Sequence, residues 1–169
     1  MDATHLHLIL THFPIIGTII GIFILAYGIY SKNESVTKVA LVTFSMMAIL
    51  TIPVFLTGEE AGEAVEHIAG VSENSIEAHE ELAEKAIWLM GFLGVLSLVS
   101  LYAIFKKLSF TKTITLVTLI VSIVTFALFT QVGNLGGKIR HSEIRSTNVG
   151  TPGENGHLNQ QYDDDGDDD

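Results

Sequence analysis

The 169-residue chain contains no cysteine, which excludes disulfides, thiolate metal sites, iron–sulfur clusters and covalent haem attachment through a Cys-x-x-Cys-His motif. Proline is scarce, and charge is missing from the long apolar runs of a chain that is 48% hydrophobic. There is no phosphate-cradling glycine loop and no Ser-His-Asp grouping suited to hydrolysis. No Asp, Glu, Lys or Arg stands near the midpoint of an apolar run, where an ion or proton pathway leaves one. The N-terminus has neither the basic head nor the small-residue cleavage site of a signal peptide, so the first apolar run is expected to stay as an anchor. A formal net charge of -10 makes nucleic acid a poor partner.

What is present is a set of four apolar blocks, at 8–30, 39–56, 86–105 and 114–135. Each comes near the ~20 residues that cross ~30 Å of hydrocarbon. Backbone groups in lipid must be satisfied within the segment, which forces helices. The joints at 31–38 and 106–112 are short, so the helices they connect are antiparallel neighbours. The expected fold is all-α, an integral membrane up-down-up-down four-helix bundle. The segment 58–85, rich in Ala and Glu, is expected to carry helices two and three beyond the lipid as a hairpin, broken at 70–74. The transmembrane domain then occupies residues 1–145. Residues 146–169, rich in Gly, Asn and Asp, form an acidic tail expected to be disordered.

The two short joints hold Lys32, Lys38, Lys106, Lys107 and Lys112 against one acid, Glu34. The positive-inside rule puts them in the cytoplasm of a cell whose bacterial inner membrane the chain spans, with both termini and the central loop on the periplasmic side. All seven histidines (His5, His7, His12, His67, His79, His141 and His157) then lie on the exterior half. His5, His79 and His141 stand outside the apolar blocks at similar height. His12 shares a helix face with His5. His7, off that face, and His157, in the tail, are expected to be solvated.

Imidazole ligates haem iron, zinc and copper, and two helices presenting histidines inward can hold a b-type haem without covalent linkage. The expected axial ligands come from His5, His12, His79 and His141. The alternatives are a tris-histidine zinc or copper site from His5, His79 and His141, or a cofactor-free structural or interaction subunit whose histidines fill polar space at the membrane interface. The glutamates of the central hairpin read as a solvated acidic face that steers a basic partner such as a periplasmic cytochrome. A di-iron site is not expected, since neither His67 nor His79 has a glutamate three residues before it. Pro14 and Pro53 lie inside helices one and two and release the carbonyls of Leu10 and Ile49. The glycines and serines of the apolar blocks read as packing residues.

His5 with His12-Phe13-Pro14-Ile15, Leu56-Thr57-Gly58 with Ala61-Gly62, His79 opening helix three, and Gly136-Gly137 before His141 together resemble the bacterial four-helix membrane family catalogued as domain of unknown function 2231. The resemblance covers about residues 5–145. It implies a bundle whose histidines bind haem in an electron-transfer setting, because related domains occur beside or fused to c-type cytochrome domains. By resemblance the site residues are His5, His12, His79 and His141, and the chain is an accessory or electron-transfer subunit more than a stand-alone enzyme.

Overall fold

A computed structural model describes residues 3–66 and 73–140. They form four helices, α1 (Ala3–Tyr30), α2 (Glu34–Glu66), α3 (Glu73–Phe105) and α4 (Thr111–Arg140). Each contains one expected apolar block and overshoots it chiefly at the end carrying the histidines. His67, His141, His157, the acidic tail and most of the break expected at 70–74 lie outside the described residues.

The two short turns are built alike. Lys32 (φ 53°) and Lys107 (φ 52°) adopt the left-handed conformation that ends a helix. In the first turn Asn33 N–H donates to the Gly28 carbonyl (3.0 Å) and Lys32 N–H to that of Ile29 (3.2 Å). In the second, Leu108 N–H reaches Ala103 (3.0 Å) and Lys107 N–H reaches Ile104 (3.1 Å). Carbonyls orphaned at the helix ends are thereby satisfied. Asn33 also caps α2, its Oδ1 accepting from the N–H groups of Ser35 (3.0 Å) and Val36 (3.2 Å).

Four neighbouring pairs, α1–α2, α2–α3, α3–α4 and α1–α4, pack in a ring. The diagonal pairs α1–α3 and α2–α4 make no close approach among the described residues. One heptad row on each helix faces the centre, as in bundles with knobs-into-holes packing. On α1 the buried members are Pro14, Gly21 and Gly28, on α2 Thr37, Phe44 and Thr51, on α3 Ala86, Leu93 and Ser100, and on α4 Thr115, Ser122 and Phe129. Glycines let α1 close on α2: a Cβ on Gly21 would come within 2.5 Å of the Phe44 ring, and one on Gly28 within 2.8 Å of the Thr37 backbone nitrogen. The buried hydroxyls return to carbonyls of their own helix, as Ser97 to Leu93 (2.8 Å) and Thr125 to Val121 (2.8 Å), while Ser100 and Thr118 also bond each other across α3–α4 (2.9 Å).

Because the obstacle at Gly28 is backbone, Gly28→Val must part α1 from α2. We expect it to cost roughly 1–3 kcal/mol, the range for overpacking, read as an earlier unfolding midpoint in detergent. Gly91→Val, where an added Cβ meets nothing within 4 Å, is expected to leave that midpoint unchanged.

Phe44, Leu25, Leu41, Met90 and Leu93 fill the core, but many large apolar side chains point outward. Phe23, Ile49, Phe92, Val95 and Phe105 are exposed, and Trp88 is 75% exposed. All four helices are long and apolar enough to cross a membrane, and no more than 44% of any one's apolar window is buried within the bundle. A broad apolar outer surface around a core that includes many small and hydroxyl-bearing residues is the distribution expected where the surroundings are themselves apolar.

Candidate functional site

Extending each inward row by one more heptad, toward the N-terminal end of α1, gives His7 on α1, Gly58 on α2, His79 on α3 and Gly136 on α4. Two imidazoles thus alternate with two glycines around the end of the bundle. Each imidazole lies against the glycine of its hairpin partner. A Cβ built on Gly58 would stand 3.1 Å from Cε1 and 3.5 Å from Nδ1 of His7, and one on Gly136 would stand 3.2 Å and 3.5 Å from the same atoms of His79. Both rings are half-buried.

Orientation is repeated as well. His7 Nδ1 lies 3.0 Å from the Val54 carbonyl oxygen, and His79 Nδ1 lies 3.1 Å from that of Val132. Val54 and Val132 each precede their glycine by one helical turn. A carbonyl oxygen only accepts, so each Nδ1 carries the proton and donates. The neutral tautomer then leaves the Nε2 lone pair uncommitted, and no hydrogen bond engages either Nε2 among the described residues. This is the arrangement that prepares a histidine to ligate a metal through Nε2, since the bond at Nδ1 fixes both tautomer and ring plane. The rings come from diagonal helices, α1 and α3. His7 differs in one respect: Thr57 Oγ1 also lies 3.3 Å from its Nδ1.

The other histidines are placed differently. His5 is exposed on α1. His12 is exposed too, and its Nδ1 donates to the Leu8 carbonyl of its own helix at 2.6 Å. Of the four candidates His5, His12, His79 and His141, then, only His79 sits in the paired arrangement, while His141 is outside the described residues. The expectation that His7 is solvated is corrected: the inward rotation of α1 lays its ring on α2. Among the described residues no three His, Cys, Asp or Glu side chains gather as a metal-holding group. Around the site Glu59, Glu60, Glu63, Glu77, Glu80, Glu81 and Glu84 are exposed, with Glu81 paired to Lys85 at 2.7 Å. Glu80 folds back over α2, its Oε1 2.7 Å from where a Gly62 Cβ would stand.

Fold and site together define a class: a four-helix bundle whose end presents two carbonyl-oriented imidazoles from diagonal helices. No family model, curated protein or solved structure matches the chain.

Proposed function

We propose that this chain is a small membrane redox subunit that holds one b-type haem between His7 and His79. The observation that carries the reading is the repeated imidazole, glycine and carbonyl arrangement. The residues fit the group on two counts. Each imidazole keeps Nε2 free for iron while Nδ1–H is held, and the glycines leave room where a side chain would push the ring aside. Two imidazoles supply the number of protein ligands that a b-type haem takes, whereas zinc or copper held by protein asks for three or four.

A haem held this way would supply a one-electron couple with no open position for a substrate. The chain's own part is to fix the ligand planes and to hold the group at the rim of the bundle, within reach of a partner. The bundle spans the bacterial inner membrane, with the lysine turns in the cytoplasm and the histidine end, both termini and the α2–α3 tip on the periplasmic side. Lysine at both short turns and acid at the opposite end support this orientation. The exposed glutamates of the rim would attract a basic periplasmic redox protein, the kind of partner with which such a group would exchange an electron.

The test is an absorption spectrum of the full chain purified in detergent from haem-replete cells, oxidised and dithionite-reduced, with metal analysis on the same sample. Expected are a b-type Soret and alpha band and one haem per chain. Apo protein, or stoichiometric zinc or copper without haem, would overturn the reading. Sidedness is read from Ser35→Cys in intact spheroplasts, which should resist an impermeant thiol reagent. Labelling there would reverse the orientation.

A further inference from the structure

The two hairpins present their histidines alike except at one position, the residue just before each glycine, which is Thr57 in α2 and Leu135 in α4. The Thr57 hydroxyl lies 2.9 Å from the Pro53 carbonyl and 3.0 Å from that of Val54, and 3.3 Å from His7 Nδ1. Its single proton goes to one of those carbonyls, which leaves the oxygen able to accept from the His7 Nδ1–H. His7 therefore shares its proton between Val54 O and Thr57 Oγ1, while His79 has the Val132 carbonyl alone. Leu135 has no polar atom to offer.

We propose that Thr57 is a positioning residue that makes the two axial imidazoles unequal, giving His7 more imidazolate character than His79. The proposal rests on the haem reading above. An imidazole whose Nδ1–H meets two acceptors is the more basic at Nε2 and favours ferric over ferrous iron, so the hydroxyl lowers the potential of the bound group.

The test is a redox titration of haem-loaded full-length protein, wild type against Thr57→Val, Thr57→Ser and Leu135→Thr, with helix content checked by circular dichroism. Thr57→Val keeps the side-chain volume and removes the acceptor. It is expected to cut the ferric preference roughly threefold, an upward shift of ~28 mV at ~59 mV per tenfold for a one-electron couple. Thr57→Ser, which keeps the hydroxyl, should return the wild-type potential. Leu135→Thr, which offers His79 the second acceptor that His7 already has, should shift it downward. An unchanged potential in folded, haem-loaded Thr57→Val, or a serine variant that behaves like the valine one, would overturn the role of Thr57 and leave the ligand pair standing. A wild-type protein that takes up no haem would remove both.

Discussion

His7→Ala is expected to lose haem, and His79→Ala to lose it equally, whereas His5→Ala and His12→Ala keep a full complement. Changing a residue that only orients a metal ligand costs 10–100-fold in affinity. Removing the ligand itself should cost at least about 100-fold, or ~2.7 kcal/mol. The controls are close in sequence and opposite in placement: His5 is exposed and His12 is turned onto its own helix at Leu8. Haem per chain by pyridine haemochrome, on protein whose helix content is unchanged, reads the outcome. Loss of haem from His5→Ala or His12→Ala with retention in His7→Ala would move the site to the outer face of α1. The inward row would then be packing alone.

The second large effect concerns the glycines. At Gly58 and Gly136 a new Cβ falls at 3.1 Å and 3.2 Å from an imidazole carbon, closer than ordinary van der Waals contact. Alanine displaces the ring by a few tenths of an ångström at most, but leucine fills the space the ring occupies. Gly58→Leu and Gly136→Leu are each expected to abolish haem binding while the helices remain, because the obstacle is a side chain able to swing outward and not backbone. The matched control is Gly137→Leu, immediately beside Gly136, where an added Cβ meets nothing within 4 Å. Haem content measured on all three separates a cradle from a general intolerance of bulk at this end. If Gly136→Leu binds haem as well as Gly137→Leu does, the imidazole seat is not part of the site.

Helix positions are legible in the sequence, and helix rotation is not. The helices follow from hydropathy and length, and the short turns follow from the brevity of the joints; all four described helices contain their expected blocks. His79 was reachable because it heads α3 outside its apolar block. The sequence alone lets the face shared by His5 and His12 serve as the inward one, which leaves His7 facing solvent. Nothing about a single helix says which way it is rotated in a bundle. Rotation is set by pairwise packing, here by Gly21 under Phe44 and Gly28 against Thr37. A signal was nonetheless present: Gly28, Gly21 and Pro14 stand at heptad spacing, and the next step outward is His7. Ser100, Leu93 and Ala86 lead to His79 in the same way. Gly58 and Gly136 stand in the motifs that carry the resemblance, yet nothing in those motifs says that each packs against an imidazole. The orienting carbonyls of Val54 and Val132 carry no side-chain signature and emerge only from the fold.

The claim on which all of this depends is that one haem is ligated by one imidazole from each hairpin, across the diagonal of the bundle. The most direct measurement is low-temperature electron paramagnetic resonance of the ferric full-length protein, with its haem stoichiometry, before and after His7→Ala. The account predicts one haem per wild-type chain with a low-spin bis-imidazole signal, and in the variant a high-spin signal from whatever haem remains. A low-spin bis-imidazole signal that survives in the His7→Ala, His79→Ala double variant would contradict it.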